Sequence, residues 1–588
     1  MPFGPVTAVR TPRLAFVAFG LLSLATVAAF FVTQRLKDSD PIVKRIATPL
    51  WISPNGDGDK DTVRIKFQLP KADRTTVSIV TAGGDERRRL MDDSSLGRGQ
   101  HSVAWDGRDD SGDVMPDGAY YVRVALRTQG RAVTAPRPIA LETTPPRPRL
   151  QSALRLRDGA VRLRYSGPAS PPPLYTVYRT DGGRVRKVDS FLGPRGANVG
   201  VWPGFVDGLR KAPPGDYAFA VTVKNRALVS GSAPPELPPT RASAAPGTGV
   251  TFTDLDLAPP LEAVRSGTVA RVAVGGPPRR FRWKLTRLGS IRPLRRGEGS
   301  GHTLAFRVPA DAPTGVYTFA VVAAGHRASA PIAVRAGTPA PVLVVLPAIA
   351  WQGLNAVDGD SNGFAETLED SNEVGSARPL SDGRPPAGFA TRVAPLMRFL
   401  GRRKYELTTD LALSRGDGPR LRDHQGVLFA GDERWLPTDL NRQLRDYVEG
   451  GGKVASFGGD SFRRRVSVTR NALRDPSRPE RTNVFGERTS PATTEPAPLV
   501  RYQDSLNLFK GTDGLVGMYD RLERSDGLVG GAKLATAAGR DPRRPAFVGY
   551  TLGNGIVVRV GVPGWTAALG DRGEEAIVTK RIWALLSR

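Results

Sequence analysis

The chain has 588 residues with 84 Lys and Arg against 57 Asp and Glu, a formal net charge of +27, and is too long for one hydrophobic core, so several domains are expected. The absence of cysteine excludes disulfide staples, thiolate metal sites and a cysteine nucleophile. Gly (66) and Pro (51) make up about a fifth of the residues and favour turns and short strands over long helices. The positive balance fits either attraction to a polyanion or a solvated, arginine-rich surface. The arginines are spread over every segment, and no helix-turn-helix, zinc-finger or RNA-binding aromatic pattern occurs. Nucleic acid is therefore not an expected partner; a membrane, an anionic cell-envelope polymer and a surface protein remain.

The first element is Leu14 to Val32, LAFVAFGLLSLATVAAFFV, which carries no charge. At about 1.5 Å per residue it reaches roughly 28 Å, close to the hydrocarbon thickness of a bilayer. Phe30, Phe31, Gln34 and Arg35 make a poor cleavage site, so an uncleaved signal anchor at 14–33 is expected in preference to a cleaved signal. Lys37, Lys44 and Arg45 on the far side leave the positive-inside rule undecided. The shortness of the 1–13 tail, read as cytoplasmic, favours a single-pass protein of the cell membrane with its C-terminal region extracytoplasmic.

Residues 46–143 alternate with period two in TVRIKFQL, TTVSIV, HSVAWDG and AYYVRVAL, predicting an antiparallel sandwich. The pieces Ser53-Pro54-Asn55-Gly56-Asp57-Gly58-Asp59, Trp105-Asp106-Gly107 and Pro116-Asp117-Gly118-Ala119-Tyr120-Tyr121 resemble the Ig-like domain of the flagellar hook-capping protein. That resemblance implies a spacer or assembly module. Asn55, Asp57, Asp59 and Asp61 place oxygens on alternate residues, which suits a hard cation; a metal-free Asx turn is the alternative.

Two further sandwiches are predicted at 149–238 and 249–336, separated by the Pro- and Ala-rich stretch 232–248. The turn into Tyr120 returns as Pro214-Gly215-Asp216-Tyr217 and Pro313-Thr314-Gly315-Val316-Tyr317. A Gly-x-Tyr turn repeated about every 100 residues indicates tandem modules of one kind.

From residue 340 to 588 the pattern changes. VLVVLPA is a continuous apolar run, as in a buried parallel strand. Val393, Leu396, Met397 and Leu400 have helical spacing, and GVLFAGDERWL and GIVVRVGVPGW continue an α/β alternation. An open, mainly parallel sheet with helices on both faces is predicted. Trp351-Gln352-Gly353-Leu354-Asn355, Gly431-Asp432-Glu433-Arg434-Trp435, Gly450-Gly451-Gly452-Lys453 and Ser456-Phe457-Gly458-Gly459-Asp460 resemble the C-terminal domain of the N,N-dimethylformamidase large subunit. The resemblance implies a class I glutamine-amidotransferase-like fold, and amide hydrolysis at an iron held by tyrosines and a glutamate. Glu433 matches a family glutamate, but Leu354 stands where the family has tyrosine and Gly431 where it has histidine. Iron is therefore not expected. Glu433 and Asp432 are the candidate catalytic pair, with helix-capping carboxylates as the alternative; Trp351, Gln352 and Asn355 are candidate ligand-binding residues.

Asp358, Asp360, Asn362, Gly363 and Glu369 fit D-x-[DN]-x-[DN]-G-x5-E. Short oxygen-bearing side chains at positions 1, 3 and 5, a Gly turn, the Phe364 carbonyl at 7 and a bidentate Glu369 at 12 would surround a calcium ion. A structural calcium clip, fastening an insertion over the sheet edge beside Trp351, is expected; a metal-free acidic loop is the alternative. Three functions fit this organisation: a calcium-stabilised binding head on an Ig-like stalk, a hydrolase of amide or glycan bonds, and an assembly scaffold.

Overall fold

The computed structural model describes residues 13–37, 42–277 and 279–588, and is β-rich, with one apolar helix at its start. The tail read at 1–13 lies outside the described residues but for Arg13. Helix α1 (Arg13–Lys37) contains a window, Phe16–Thr33, of mean hydropathy 2.2, none of which is buried by the rest of the protein. Its length and composition suffice to cross a bilayer; a cleavable signal meets the same two criteria.

Three sandwiches follow, each with a three-stranded sheet facing a larger one. The period-two reading holds in some strands, whereas Asp73–Val80, Leu174–Arg179 and Gly215–Lys224 are buried on both faces over much of their length. Val63–Leu69 alternates buried and exposed residues throughout, as does Val161–Ser166. The repeated turn has a common chemistry. Tyr120, Tyr217 and Tyr317 each donate a 2.8 Å hydrogen bond from the hydroxyl to the carbonyl of the residue four earlier, Pro116, Pro213 and Pro313. This ties the last long strand back to the turn that feeds it, as a tyrosine corner does. Trp105 and Trp202 lie on the tyrosine rings of their own sandwiches, with centroids 5.9 and 5.4 Å apart.

The second sandwich extends past the proline-rich stretch. Gly249–Phe252, read from sequence as the start of the third sandwich, pairs antiparallel with Gly215–Ala218 of the second. The third sandwich begins with Leu257–Ala258. Period two marks a strand but not its partner, so this register was not legible.

The main sheet of the head contains nine strands: β1 (Val342–Leu346), β2 (Glu406–Thr409), β3 (Gly426–Phe429), β4 (Lys453–Ser456), β5 (Ala497–Asp504), β6 (Leu515–Tyr519), β7 (Lys533–Ala538), β8 (Phe547–Leu552) and β9 (Gly555–Val560). They form one sheet in the order β2-β1-β3-β4-β9-β8-β7-β5-β6. The first five in that order are parallel and the rest antiparallel. The sheet is thus mixed, not mainly parallel as expected. Val342, Val344 and Leu346 pack with α3 (Ala394–Leu400) and α6 (Glu574–Leu586) on one face. Leu343 and Val345 pack with α5 (Thr438–Glu449) on the other. Helices on both faces explain why β1 reads as an unbroken apolar run. Val316 and Ala333 join the first of these clusters, so the third sandwich shares a core with the head.

Candidate functional site

The connection from β1 runs to β2 on one side and that from β3 runs to β4 on the other, so the two adjacent strands are left in opposite directions. The carboxyl ends of β1 and β3 therefore form a switch point, where open α/β sheets hold ligands. β1 continues through Pro347 into α2 (Ala348–Gly353), and β3 into Ala430-Gly431-Asp432-Glu433. Gly431 has φ +137°, and a β-carbon there would meet Pro347 Cγ at 2.9 Å and Val393 Cγ2 at 3.0 Å. A larger residue is sterically barred at that position.

Trp351, Leu354, Arg392 and Asp432 line a narrow crevice at this point. The Trp351 indole packs edge-on against Phe389, with centroids 5.9 Å apart. Asp432 forms an ion pair with Arg392 and accepts a 2.8 Å hydrogen bond from the Gly459 amide. Two residues on from Asp432, Arg434 joins Asp460 (3.0 Å) and Glu369 (2.6 Å), and Arg464 pairs with the same Asp460. Burial, together with the charges of Arg521 and Arg434, lowers the Arg392 pKa below its ordinary value. The crevice therefore presents one guanidinium group, that of Arg392, on a carboxylate it already neutralises.

Glu433 is turned away from this opening. It is fully buried, as is Asp410, the first residue of α4 (Asp410–Ser414). Asp410 accepts hydrogen bonds from the amides of Ile349 (3.0 Å) and Leu411 (2.7 Å). The Glu433 oxygens meet no donor unless a proton is shared with Asp410. Burial, then the neighbouring charge, pushes Glu433 well above the usual carboxylate range; burial pushes Asp410 up to about 7. Two adjacent buried carboxyls cannot both ionise, so the pair retains a proton at neutral pH. The Thr-Thr-Asp end of β2 was the one sequence signal for Asp410. Neither Asp432 nor Glu433 caps the next helix, since α5 starts at Thr438 after Pro437 with no side-chain cap.

Gln352 and Asn355 face the 378–381 backbone. Gln352 bonds both the amide and the carbonyl of Arg378 at 3.2 Å. Asn355 accepts from the Ser381 amide (3.0 Å) and donates to the Pro379 carbonyl (2.7 Å). Of the three ligand candidates, Trp351 alone reaches the crevice.

The acidic loop gathers Asp358, Asp360 and Glu366, with one carboxylate oxygen from each within 4.8 Å of the others. Glu366 occupies position 9, while Glu369 at position 12 pairs with Arg434 instead. The reason is Arg378, which bonds Glu366 (3.2 Å) and the carbonyls of Gln352 and Asn355 (both 2.7 Å), fixing the return path of the loop. Asn362 lies between the carboxylates, its side chain accepting from the Phe364 amide. The cluster opens to a solvent recess. The loop docks on the second sandwich and not on the sheet edge: the amides of Gly247 and Gly249 donate to the carbonyls of Asp360 (2.9 Å) and Ser361 (2.6 Å).

The 55–61 loop closes on itself. Asp61 accepts from the Gly56 and Gly58 amides, both at 2.8 Å, Asp57 accepts from the Asp59 amide (2.8 Å) and the Asn55 side chain (3.0 Å), and Asp59 pairs with Lys224 (2.8 Å).

Residues 301–564 match the family model described as N,N-dimethylformamidase beta subunit-like, C-terminal, and residues 53–130 match the FlgD Ig-like domain. Both resemblances drawn from sequence are thereby shown. No curated protein matches the chain. Among solved structures, a β-galactosidase from Bacillus circulans sp. alkalophilus is 13% identical over 41% of this chain and 31% of its own, with a TM-score of 0.25. The chain thus spans about a third of that enzyme. The titin fragment I67–I69 is 14% identical over 49% of this chain and 97% of its own, with a TM-score of 0.20. FlgD from P. aeruginosa is 20% identical over 21% of this chain and 89% of its own, with a TM-score of 0.13.

The dimethylformamidase-like match directs attention to iron at Glu433. The residues present do not fit it. Among the described residues the group acting on the Glu433 carboxyl is Asp410 and not a tyrosine hydroxyl, and leucine stands at 354.

Proposed function

We propose that this chain is a single-pass, extracytoplasmic protein whose Ig-like stalk holds out an amidotransferase-like head that binds a ligand or partner and does not hydrolyse amides. The reading rests on one observation above the others: the matched glutamate is sealed inside with Asp410, while the crevice is lined by Trp351 and the Arg392–Asp432 pair. A half-enclosed Arg392–Asp432 pair beside the Trp351 indole favours a small polar or acidic group, through charge-assisted hydrogen bonds. Purified full-length protein, offered short amides and cell-wall fragments, is expected to give no turnover, and Glu433→Gln no change. Turnover lost in Glu433→Gln would establish the hydrolase reading, which the paired carboxyls with raised pKa values favour.

Calcium belongs to the same proposal. Three carboxylates within reach of one point, with Asn362 next in the loop, suit a hard cation, and the recess supplies an entry path. Asp358, Asp360, Asn362 and Glu366 would hold the ion, which supplies charge compensation and no chemistry. For the stalk, the hook-cap-type match favours a spacer that also offers an assembly surface.

A further inference from the structure

The third sandwich gathers charge that looks dispersed in the sequence. Between residues 279 and 300 stand eight Lys and Arg and one acidic residue, Glu298. These fall on one hairpin, Arg280–Arg287 paired with Arg295–Ser300. The first strand buries Phe281, Trp283 and Leu285 and exposes Arg280, Arg282 and Lys284. The pairing sets Lys284 directly opposite Arg296, and Arg282 opposite Glu298. On the other side Arg282 faces Val322, and Val322 faces Arg327. One sheet face thus carries Arg280, Arg282, Lys284, Arg296 and Arg327 against Glu298. Among the described residues none of the five cations has an ion-pair partner within 4 Å, whereas many other surface arginines do.

Like charges set opposite one another in a sheet are destabilising. Edge protection accounts for charges on Arg295–Ser300, the outermost strand of its sheet. It does not account for the cation column on Arg280–Arg287, which lies inside the sheet between two partners. We infer that this face is a docking surface for a linear phosphate-bearing polymer of the cell envelope. Alternate residues of a strand lie about 6.7 Å apart and neighbouring strands about 4.8 Å, so the cations form a ladder that a chain with repeating anions can follow. Four of the five are arginine, whose fork grips phosphate oxygens in pairs, and one phosphate reaches both Lys284 and Arg296. The large aromatics of the hairpin, Phe281 and Trp283, point inward, so no base-stacking platform accompanies the charge.

The inference deepens the extracytoplasmic reading above. Its test is titration of full-length protein in neutral detergent with labelled long-chain inorganic polyphosphate at about 0.15 M salt. Binding is expected, and Arg282→Glu/Lys284→Glu should weaken it at least tenfold and lower the salt slope by about two. The matched reversal Arg162→Glu/Arg164→Glu, on exposed positions of the second sandwich, should change affinity less than threefold. No binding, or equal losses in both double variants, would overturn the docking face. Tighter binding to single-stranded oligothymidylate, or to vesicles containing phosphatidylglycerol, would overturn the class of partner. A cytosolic C-terminus in reporter fusions would overturn the tether reading, and with it the envelope as source.

Discussion

The loops at 55–61 and 358–369 carry nearly the same spacing of Asp and Asn, yet fold to different ends. The first is exposed, and its carboxylates are satisfied by its own amides and by Lys224. The second also accepts from its own amides, at Gly359, Asn362 and Gly363, but is wedged between the second sandwich and the head, with Asp358, Asp360 and Glu366 converging. Spacing alone fixes which oxygens can curl together. Whether they are left facing one another depends on what the rest of the chain packs around them.

The sharpest way to break this contrast is at the loop glycines. Gly363 has φ +87°, and a β-carbon would lie 2.5 Å from the Tyr217 carbonyl, whereas Gly56 at φ +81° has open space around it. Gly363→Ala should cost about 3 kcal/mol in denaturant unfolding and expose the junction to proteases; Gly56→Ala should cost about 1 kcal/mol. Equal costs would remove the distinction.

Chelation comes next. Saturating calcium at about a hundredfold over its Kd should add about 2.7 kcal/mol to the head's unfolding free energy. Asp358→Ala and Glu366→Ala should abolish that gain, whereas Glu369→Ala should keep it, losing only an exposed ion pair of less than about 1 kcal/mol. A gain that depends on Glu369 would restore the ligand set drawn from spacing.

The buried pair provides a calcium-independent reference. Asp410 and Glu433 have native pKa values above their unfolded ones, so the native state holds a proton the unfolded chain releases. Their contribution to stability is full at pH below about 4 and is lost as pH rises towards and past 7. Asp410→Asn should flatten that slope in thermal melts between pH 4 and 8, with or without calcium. The smallest effect belongs to the first loop. Asp59→Asn removes one exposed ion pair with Lys224, and should shift stability by less than about 1 kcal/mol with no calcium dependence.

Much of the stalk was legible because its signals are local. Alternating Val, Ile and Phe marked strands, and Gly-x-Tyr marked the same turn three times, down to the hydroxyl bond of Tyr120, Tyr217 and Tyr317. The apolar run Val342–Leu346 marked the first strand of the head for the same reason. What escaped depends on distant partners. Asp410 meets Glu433 only through the neighbours β2, β1 and β3, and Glu366 displaces Glu369 because Arg378 sets the loop's return. Lys533–Ala538 packs small alanines against the core, which gave no strand signal, so the antiparallel half of the sheet went unread.

The pairing of Gly249–Phe252 with Gly215–Ala218 has a mechanical consequence. Tension applied at the head enters the second sandwich by two routes, that short ladder of hydrogen bonds and the acidic loop's bonds to Gly247 and Gly249. The proline-rich stretch beside them is spanned at both ends and is not drawn out until these bonds part. The stalk therefore resists pulling as a joined rod first, and lengthens by a slack coil only after one strand has peeled away.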